Sequence, residues 1–165
     1  MSQDDVLINK AITDGHYRYC RALDRMDRGL YDTVFAPGAP MDYDDFKGTA
    51  EEFGHWVWVA HEAMQGHSHQ IANVLVEVGA DGTTAVSEAY VTVCLRTKPD
   101  VEGRVMDIVD RGRYLDRWAR QDGGGWRIVA RIHRSDIRQL SDATMSPPAT
   151  GIRNRTDPSY DLFST

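Results

Sequence analysis

The sequence predicts an α+β fold, in which helices come first along the chain and a four-stranded antiparallel sheet follows. Two observations support this prediction. Before residue 66 the apolar residues recur at helical spacing, whereas after residue 68 they alternate with a period of two. With 165 residues, the chain has the length of one globular domain, which needs neither a disulfide nor a metal in order to fold.

The first helix is predicted over residues 6–27, because apolar side chains recur there at helical spacing and no proline interrupts them. Gly29 follows this segment and favours a helix end. A connector that contains Pro37 and Pro40 then leads to an extended segment over residues 41–43. We therefore expect a short strand before the next helix.

A second helix is predicted to begin after Thr49, because the residues Thr49-Ala-Glu-Glu52 form a capping-box pattern. In this pattern the threonine hydroxyl and the glutamate carboxylate each accept a hydrogen bond from the other residue's backbone N–H. The helix is predicted to continue through Met64, and Gly66 is predicted to end it.

The alternating pattern predicts four strands, over residues 68–78, 85–96, 105–118 and 126–136. Glycine-containing turns separate them. On one face of the first of these strands, His69 and Asn73 alternate with Ile71 and Leu75. Polar side chains among apolar ones on a half-covered sheet face are typical of a ligand cavity.

The last predicted strand also alternates, with Arg131 and His133 on the face opposite Ile128. After residue 138 the composition shifts to Ser, Pro, Thr, Asn and Asp. We therefore predict a single domain over residues 1–138. A polar C-terminal tail over residues 139–165 is expected to be either disordered or packed on a neighbouring subunit.

The composition argues against several function classes. With 25 acidic and 19 basic side chains, the chain has a formal net charge of −6, which disfavours nucleic acid and anionic membranes as partners. The longest apolar run, residues 56–60, is far too short to cross a membrane. No signal peptide is expected, and Cys20 and Cys94 form no metal-binding pattern, so a cytoplasmic protein is predicted.

Five sequence features occur in a recognisable order over about residues 5–138: Tyr19-x4-Asp24, Phe35 with Asp42-Tyr43, Gly48-Thr49-Ala-Glu-Glu, His69-x3-Asn73, and Trp126-Arg-Ile-x-x-Arg131. In this order they resemble the SnoaL-like branch of the nuclear-transport-factor-2-like superfamily. The resemblance implies a cone-shaped α+β fold, a cystatin-like roll in which N-terminal helices wrap a strongly curved, mostly antiparallel sheet.

This branch includes scytalone dehydratase, bile-acid 7α-dehydratase, hexachlorocyclohexane dehydrochlorinase and formaldehyde-releasing aryl-diol lyases. Their shared motif pairs an aspartate near the end of the first helix with a histidine at the start of the long strand, which implies Asp24 and His69 here. Tyr19 matches a tyrosine of the bile-acid enzyme, and Arg131 matches a basic residue of the dehydrochlorinase. The second histidine of scytalone dehydratase has no counterpart over residues 90–94.

The residue types suit an elimination reaction. A histidine can remove a proton from carbon and return it to a leaving hydroxyl on the same face, and its ordinary pKa near 6.5 fits both steps. Asp24 would hold the ring of His69 and stabilise the imidazolium. A phenol, from Tyr19 or Tyr43, would stabilise negative charge on a substrate oxygen.

Structural alternatives stand beside these roles. Arg131 is either a substrate contact or an ion-pair partner of Glu88 or Asp107. Asn73 binds substrate, hydrogen-bonds the local backbone or orients His69. Tyr19 and Tyr43 are either core residues or part of the site, and Trp56 either packs in the core or lines the pocket. The predicted substrate-binding residues are Tyr43, Trp56, Asn73 and Arg131.

His67 and His69 are two residues apart on a strand, a spacing at which two histidines can share a metal. A cupin-like site would also need a glutamate a few residues later, and Glu77 is misplaced for this. We therefore predict neither a metal nor an organic cofactor.

The sequence and the resemblance together predict a cofactor-independent lyase, a dehydratase for a hydroxylated aromatic or polycyclic molecule, with Asp24, His69 and Tyr19 as catalytic residues. Carbon–carbon cleavage of an aryl diol with release of formaldehyde, isomerisation and cyclisation are alternatives at the same site. A non-catalytic ligand-binding or assembly module is the alternative from another class. The resemblance also implies a homo-oligomer, and a trimer is expected because relatives with this site are often trimers.

Overall fold

The computed structural model describes residues 3–163. Four helices lie in this part of the chain: α1 (Gln3–Asp24), α2 (Arg28–Tyr31), α3 (Ala50–Glu62) and α4 (Ser159–Leu162). The predicted capping box begins α3, because the Thr49 hydroxyl accepts from the Glu52 N–H at 3.3 Å and the Glu52 carboxylate accepts from the Thr49 N–H at 2.8 Å. None of the helices in residues 3–163 is long and apolar enough to cross a membrane.

Six strands form one sheet in the order β2-β1-β6-β5-β4-β3. They are β1 (Pro40–Tyr43), β2 (Phe46–Thr49), β3 (Met64–Val78), β4 (Thr84–Thr97), β5 (Met106–Arg120) and β6 (Trp126–Asp142). All neighbours pair antiparallel except β1 and β6, which pair parallel through Met41 opposite Arg131. The α+β prediction is confirmed, and β2 is a strand that the sequence analysis missed.

The junction between α3 and β3 differs from the prediction. Gly66 was expected to end the second helix, but α3 ends at Glu62 and Gly66 lies inside β3, opposite Arg96. The pairing with β4 starts at Met64, opposite Thr97, so ladder hydrogen bonds extend the strand toward the helix. As a result His67 lies within a regular strand beside His69.

A β-bulge in β3 changes which side chains face inward. The register shifts between Ala72 and Leu75, and Asn73 has a φ of 47°, a left-handed conformation that asparagine tolerates. After the bulge Val76 packs against the core and Leu75 is exposed. The predicted faces are therefore correct before the bulge and inverted after it.

A second bulge lies in β6. Ile128 pairs with Trp118 and Ala130 with Arg117, so Val129 is the extra residue. Because of this insertion, Ile128 and Arg131 are both buried. The prediction that they lie on opposite faces of the strand is wrong.

The core lies between the helices and the inner face of the sheet, and aromatic rings dominate it. Tyr19 makes edge contacts with Phe35 and Tyr114, at centroid distances of 5.7 and 5.5 Å. Gly15 lets α1 approach the sheet closely, since a Cβ at this position would lie 2.7 Å from a ring carbon of Trp118. Glycine disfavours a helix interior, but the packing of α1 on the sheet requires it at this position.

The chain after β6 contacts the same chain. Tyr160 donates a hydrogen bond of 2.8 Å to Asp27, and Arg155 donates one of 3.0 Å to the same carboxylate. β6 itself runs to Asp142, past the predicted boundary at residue 138. The division into domain and tail, and the packing of the tail on a neighbouring subunit, stay predictions.

Candidate active site

The end of α1 meets the start of β3, and this contact joins Asp24 to His69. The Nδ1 of His69 lies 2.7 Å from one carboxylate oxygen of Asp24, and the other oxygen accepts the backbone N–H of His69 at 3.0 Å. Both oxygens therefore bind the same residue, which fixes the imidazole in position and orientation.

The Asp24 carboxylate is held in its ionised form. Burial alone would raise its pKa, but hydrogen bonds from His67 and His69 outweigh burial and lower the pKa to about 2. Since an ionised carboxylate only accepts, the Nδ1 of His69 carries the proton. The Nε2 of a neutral His69 is therefore the nitrogen that can take up a proton.

His69 forms part of the wall of a cavity of about 500 Å³. The lining is mostly apolar, and its aromatic side chains are Tyr19, Tyr43, Phe53, Trp56 and Tyr114. A cavity of this size suits a small organic molecule, which it would largely remove from water. Four of the seven predicted site residues, namely Tyr19, Tyr43, Trp56 and His69, line it, and Asp24 is bonded to one of them.

Two of these aromatic side chains form a phenol pair. The hydroxyl oxygens of Tyr19 and Tyr43 lie 2.9 Å apart. Burial raises the pKa of both phenols above 10, so both are protonated at neutral pH. Because one hydroxyl donates to the other, the accepting phenol keeps its own proton for a substrate oxygen.

Arg131 lies behind this wall rather than on the cavity surface. Its guanidinium forms two hydrogen bonds of 2.7 Å to Asp116, and both side chains are fully buried. It also stacks on the Tyr19 and Tyr114 rings, 4.3 and 4.1 Å from their centroids. The ion-pair partner is thus Asp116, and neither of the two partners considered from the sequence.

Glu88 and Asp107, which the sequence analysis considered as partners of Arg131, pair with other arginines. Glu88 lies 4.0 Å from Arg113, and Asp107 forms two hydrogen bonds of 2.7 Å to Arg96. Asn73 is also apart from the site, because the bulge places it on the exposed surface of β3 and not among the residues that line the cavity.

His61 is a cavity residue that the sequence analysis missed. It lies on α3, its ring centroid is 5.9 Å from that of His69, and its Nδ1 has no hydrogen-bond partner in the described part of the chain. Burial, followed by the neighbouring histidines, lowers its pKa to about 3, so it is neutral. Its spacing of four residues from Val57 and eight from Phe53 places it on the buried helix face and was available in the sequence.

A second polar group lies elsewhere in the cavity lining. His133 stacks on Tyr43 at a centroid distance of 5.0 Å, and burial lowers its pKa. Asp110 accepts hydrogen bonds from Ser135 at 2.6 Å and Arg138 at 2.9 Å. His133, Asp110 and Arg138 belong to β5 and β6 and line the cavity, so they could contact a polar group of a ligand.

His67 is the second histidine at Asp24. Its Nδ1 lies 3.5 Å from the oxygen that binds His69, and its side chain is fully buried. One ligand atom from each of Asp24, His67 and His69 falls within 4.8 Å of the others, a donor set that zinc accepts. The spacing between Asp24 and His69 is that of a hydrogen bond, and the absence of a metal stays a prediction.

The helix-first order and the six-stranded, mostly antiparallel sheet are those of the nuclear-transport-factor-2-like class. The chain belongs to the SnoaL-like domain family, whose model matches residues 4–132. The predicted family and fold are thereby confirmed. No curated protein matches the sequence at a significant level.

Solved structures share this fold. A protein provisionally named a scytalone dehydratase, from Novosphingobium aromaticivorans, has 19% identity and a TM-score of 0.72, over 84% of this chain and 91% of that chain. The type 3 hexachlorocyclohexane dehydrochlorinase of Novosphingobium barchaimii has 18% identity and a TM-score of 0.69, over 84% and 92%. A superfamily protein from Salmonella enterica has 16% identity and a TM-score of 0.69, over 81% and 94%. At these identities the likeness establishes the fold.

Proposed function

We propose that the protein is a cofactor-independent lyase that removes water from a hydroxylated aromatic or polycyclic molecule. The observation that supports this most is the 2.7 Å contact between Asp24 and His69 at the wall of an apolar cavity. A purely ligand-binding module needs the cavity but not this pair. The names of two structural neighbours, a dehydrochlorinase and a provisional dehydratase, also denote elimination reactions.

In the proposed reaction, His69 Nε2 takes a proton from a carbon that is activated by a neighbouring carbonyl or aromatic ring. The electron pair of the C–H bond forms the new double bond, and the C–O bond breaks. The same imidazolium returns its proton to the departing hydroxyl, so that water leaves and the enzyme is unchanged. Asp24 stabilises the imidazolium between the two steps, because its carboxylate is already ionised and in place.

The phenol pair would stabilise the negative charge that develops on the substrate during proton removal. Either hydroxyl can donate to a carbonyl or phenolate oxygen, and the Arg131 guanidinium behind the Tyr19 ring favours negative charge at this wall. A substrate that fills the cavity would displace water from the mostly apolar lining, and the lower local dielectric would strengthen these interactions.

Carbon–carbon cleavage of an aryl diol uses the same base on a different proton. There His69 would take the proton of a terminal hydroxyl, and the C–C bond would break with release of formaldehyde. The electron pair of that bond would form a double bond as the second hydroxyl leaves, and the imidazolium would return its proton to this hydroxyl to give water. Isomerisation and cyclisation also fit a single histidine base. The substrate, the trimer and the cytoplasmic location all stay predictions.

A ligand screen followed by an assay tests the proposal. Thermal shift is measured on the wild type and His69→Gln with hydroxylated aromatics, aryl diols, steroid and bile-acid derivatives, and zinc or iron alone. We expect organic ligands to raise the Tm by several degrees in both proteins. Turnover of the hits, followed by absorbance and by a formaldehyde assay, is expected in the wild type alone.

Two results would contradict the proposal. Stabilisation by metal that disappears in His69→Gln would favour a metal site at His67 and His69. Ligand binding without turnover of any hit, with equal affinity in both proteins, would favour a binding module.

A further inference from the structure

The chain after β6 reaches the back of the candidate active site through Arg153. Its guanidinium donates to the backbone oxygens of His61 at 3.0 Å and Met64 at 2.7 Å. It also lies 2.9 Å from the Nε2 of His67. One side chain thus joins the C-terminal segment to the end of α3, the start of β3 and a buried histidine.

The contact with Arg153 determines where His67 carries its proton. A guanidinium has donors only, so the Nε2 of His67 must accept. A neutral imidazole that accepts at Nε2 carries its proton on Nδ1, the nitrogen that faces Asp24 at 3.5 Å. His67 is neutral at neutral pH because burial, the largest influence, lowers its pKa.

We infer that Arg153 is a positioning residue of the active site, which acts by fixing His67 as the Nδ1–H tautomer so that His67 donates to Asp24. The Asp24 carboxylate then has three donors: the Nδ1 and backbone N–H of His69, and the Nδ1 of His67. This inference rests on the proposed function, since it assigns Arg153 to the support of the Asp24–His69 pair.

Loss of Arg153 would release this arrangement. His67 could then move its proton to Nε2, which would turn the Nδ1 lone pair toward an ionised carboxylate at 3.5 Å. The repulsion would displace Asp24 and with it the ring of His69. Neither Arg153 nor His67 lines the cavity, so substrate binding should change little.

Arg155 provides a matched control. It belongs to the same segment, and it also ties that segment to the body of the protein, through a 3.0 Å ion pair with Asp27. It has no contact with His67 among the described residues. Arg155→Met therefore removes a contact between the C-terminal segment and the rest of the protein, but it leaves the contact between Arg153 and His67 in place.

The most direct test is the imidazole nitrogen NMR spectrum of the wild type. We expect His67 to be the Nδ1–H tautomer at neutral pH, in Arg155→Met as well, and a mixture of tautomers in Arg153→Met. An Nε2–H tautomer in the wild type would overturn the inference without any variant. So would an unchanged His67 spectrum in a folded Arg153→Met.

Kinetics supply a second test. We expect Arg153→Met to lower kcat by about 10-fold with KM within about twofold, below the ~10²-fold that a 1 Å misplacement can cost. In a His67→Asn background, where the amide N–H replaces the Nδ1 donor, Arg153→Met should cost no further activity. An equal further loss, or equal effects of Arg153→Met and Arg155→Met, would refute the inference. If His69→Gln retained activity, the proposed function would fail, whereas the tautomer result would stand by itself.

Discussion

Two groups of aspartate, histidine and arginine lie on the inner side of the sheet, and their chemistry differs. The dyad cluster comprises Asp24, His67, His69 and Arg153. The core cluster comprises Asp116, Arg131, His16 and Ser87. In the dyad cluster the Asp24 carboxylate binds His69 directly, and Arg153 contacts His67 rather than the carboxylate. In the core cluster the carboxylate binds the arginine directly and the histidine lies further away.

This difference decides which histidine can act as a base. Asp116 lies 3.7 Å from His16 and favours the protonated ring, but Arg131, which is bound to Asp116 through two hydrogen bonds, acts in the opposite direction. Burial lowers the pKa of His16 to about 4, and its Nε2 is bonded to Ser87 at 3.1 Å. The same residue types therefore give a buried ion pair beside a neutral histidine in one place, and a candidate proton-transfer site at the cavity wall in the other.

The largest expected effect comes from removing the base of the dyad cluster. His69→Gln should lower kcat by about 10²–10⁴-fold, because the amide cannot carry a proton between carbon and leaving group. His133→Gln, which changes another histidine of the same cavity, should raise KM more than it lowers kcat. Steady-state kinetics on a substrate from the screen give both values. Equal losses of kcat in the two variants would contradict a special role for His69.

Removing the carboxylate of the core cluster should affect stability first. Asp116→Asn leaves the buried Arg131 charge uncompensated, which costs about 3–5 kcal/mol of unfolding free energy. Asp107→Asn breaks a similar two-bond pair to Arg96 at a partly exposed site and should cost about 1 kcal/mol or less. Urea unfolding measures both. A cost for Asp116→Asn no larger than for Asp107→Asn would show that the core cluster is not a stability element.

The phenol pair is expected to have a smaller effect on catalysis. Tyr43→Phe removes one hydroxyl of the pair and should lower kcat by about 10-fold, the loss of about 1.4 kcal/mol of transition-state stabilisation. Tyr31→Phe is the control, because the Tyr31 hydroxyl donates to the Ala50 carbonyl and does not line the cavity. It should lower the Tm and leave kcat within twofold. The opposite pattern would remove the phenols from the mechanism.

Acid should destabilise the protein through its buried histidines. His16 and His61 have pKa values lowered from 6.5 to about 4 and about 3, so between pH 6.5 and about 4 the unfolded chain binds more protons than the folded one. The unfolding free energy therefore falls as the pH drops through this window, and each of the two histidines contributes up to about 1.4 kcal/mol per pH unit. The Asp24 contribution is lost only below its unfolded pKa of 3.8, as the pH falls toward about 2.

Urea unfolding of the wild type and His16→Gln at several pH values checks this. The glutamine amide can still bond Ser87 but does not titrate. Between pH 6.5 and about 4, the slope of the unfolding free energy against pH should therefore fall by about 1.4 kcal/mol per pH unit, which corresponds to one proton. An unchanged slope would mean that His16 is already protonated in the folded protein.

Local sequence patterns predicted most of the fold. Alternation predicted β3 to β6, and the pattern at Thr49 and Glu52 predicted the start of α3. The two bulges were not predictable from alternation, because the extra residues at Asn73 and Val129 depend on pairing with neighbouring strands. β2 was missed because it is short and its last residue, Thr49, was interpreted only as the start of the following helix.

The candidate site residues that belong to a family motif were predicted from the sequence, whereas partners from distant segments were missed. Asp24 and His69 were named, although 45 residues separate them, because the resemblance pairs those positions. The partners Asp116 and Arg153 have no local pattern, since only the folded sheet and the C-terminal segment bring them to Arg131 and His67.

We propose that the carboxylate of the dyad cluster serves catalysis, whereas that of the core cluster serves stability. The most direct measurement is the turnover of Asp24→Asn on a substrate from the screen, with the Tm measured on the same sample. We predict a loss of about 10²–10⁴-fold in kcat in a protein that remains folded at the assay temperature. Near-wild-type turnover by a folded Asp24→Asn would contradict the claim.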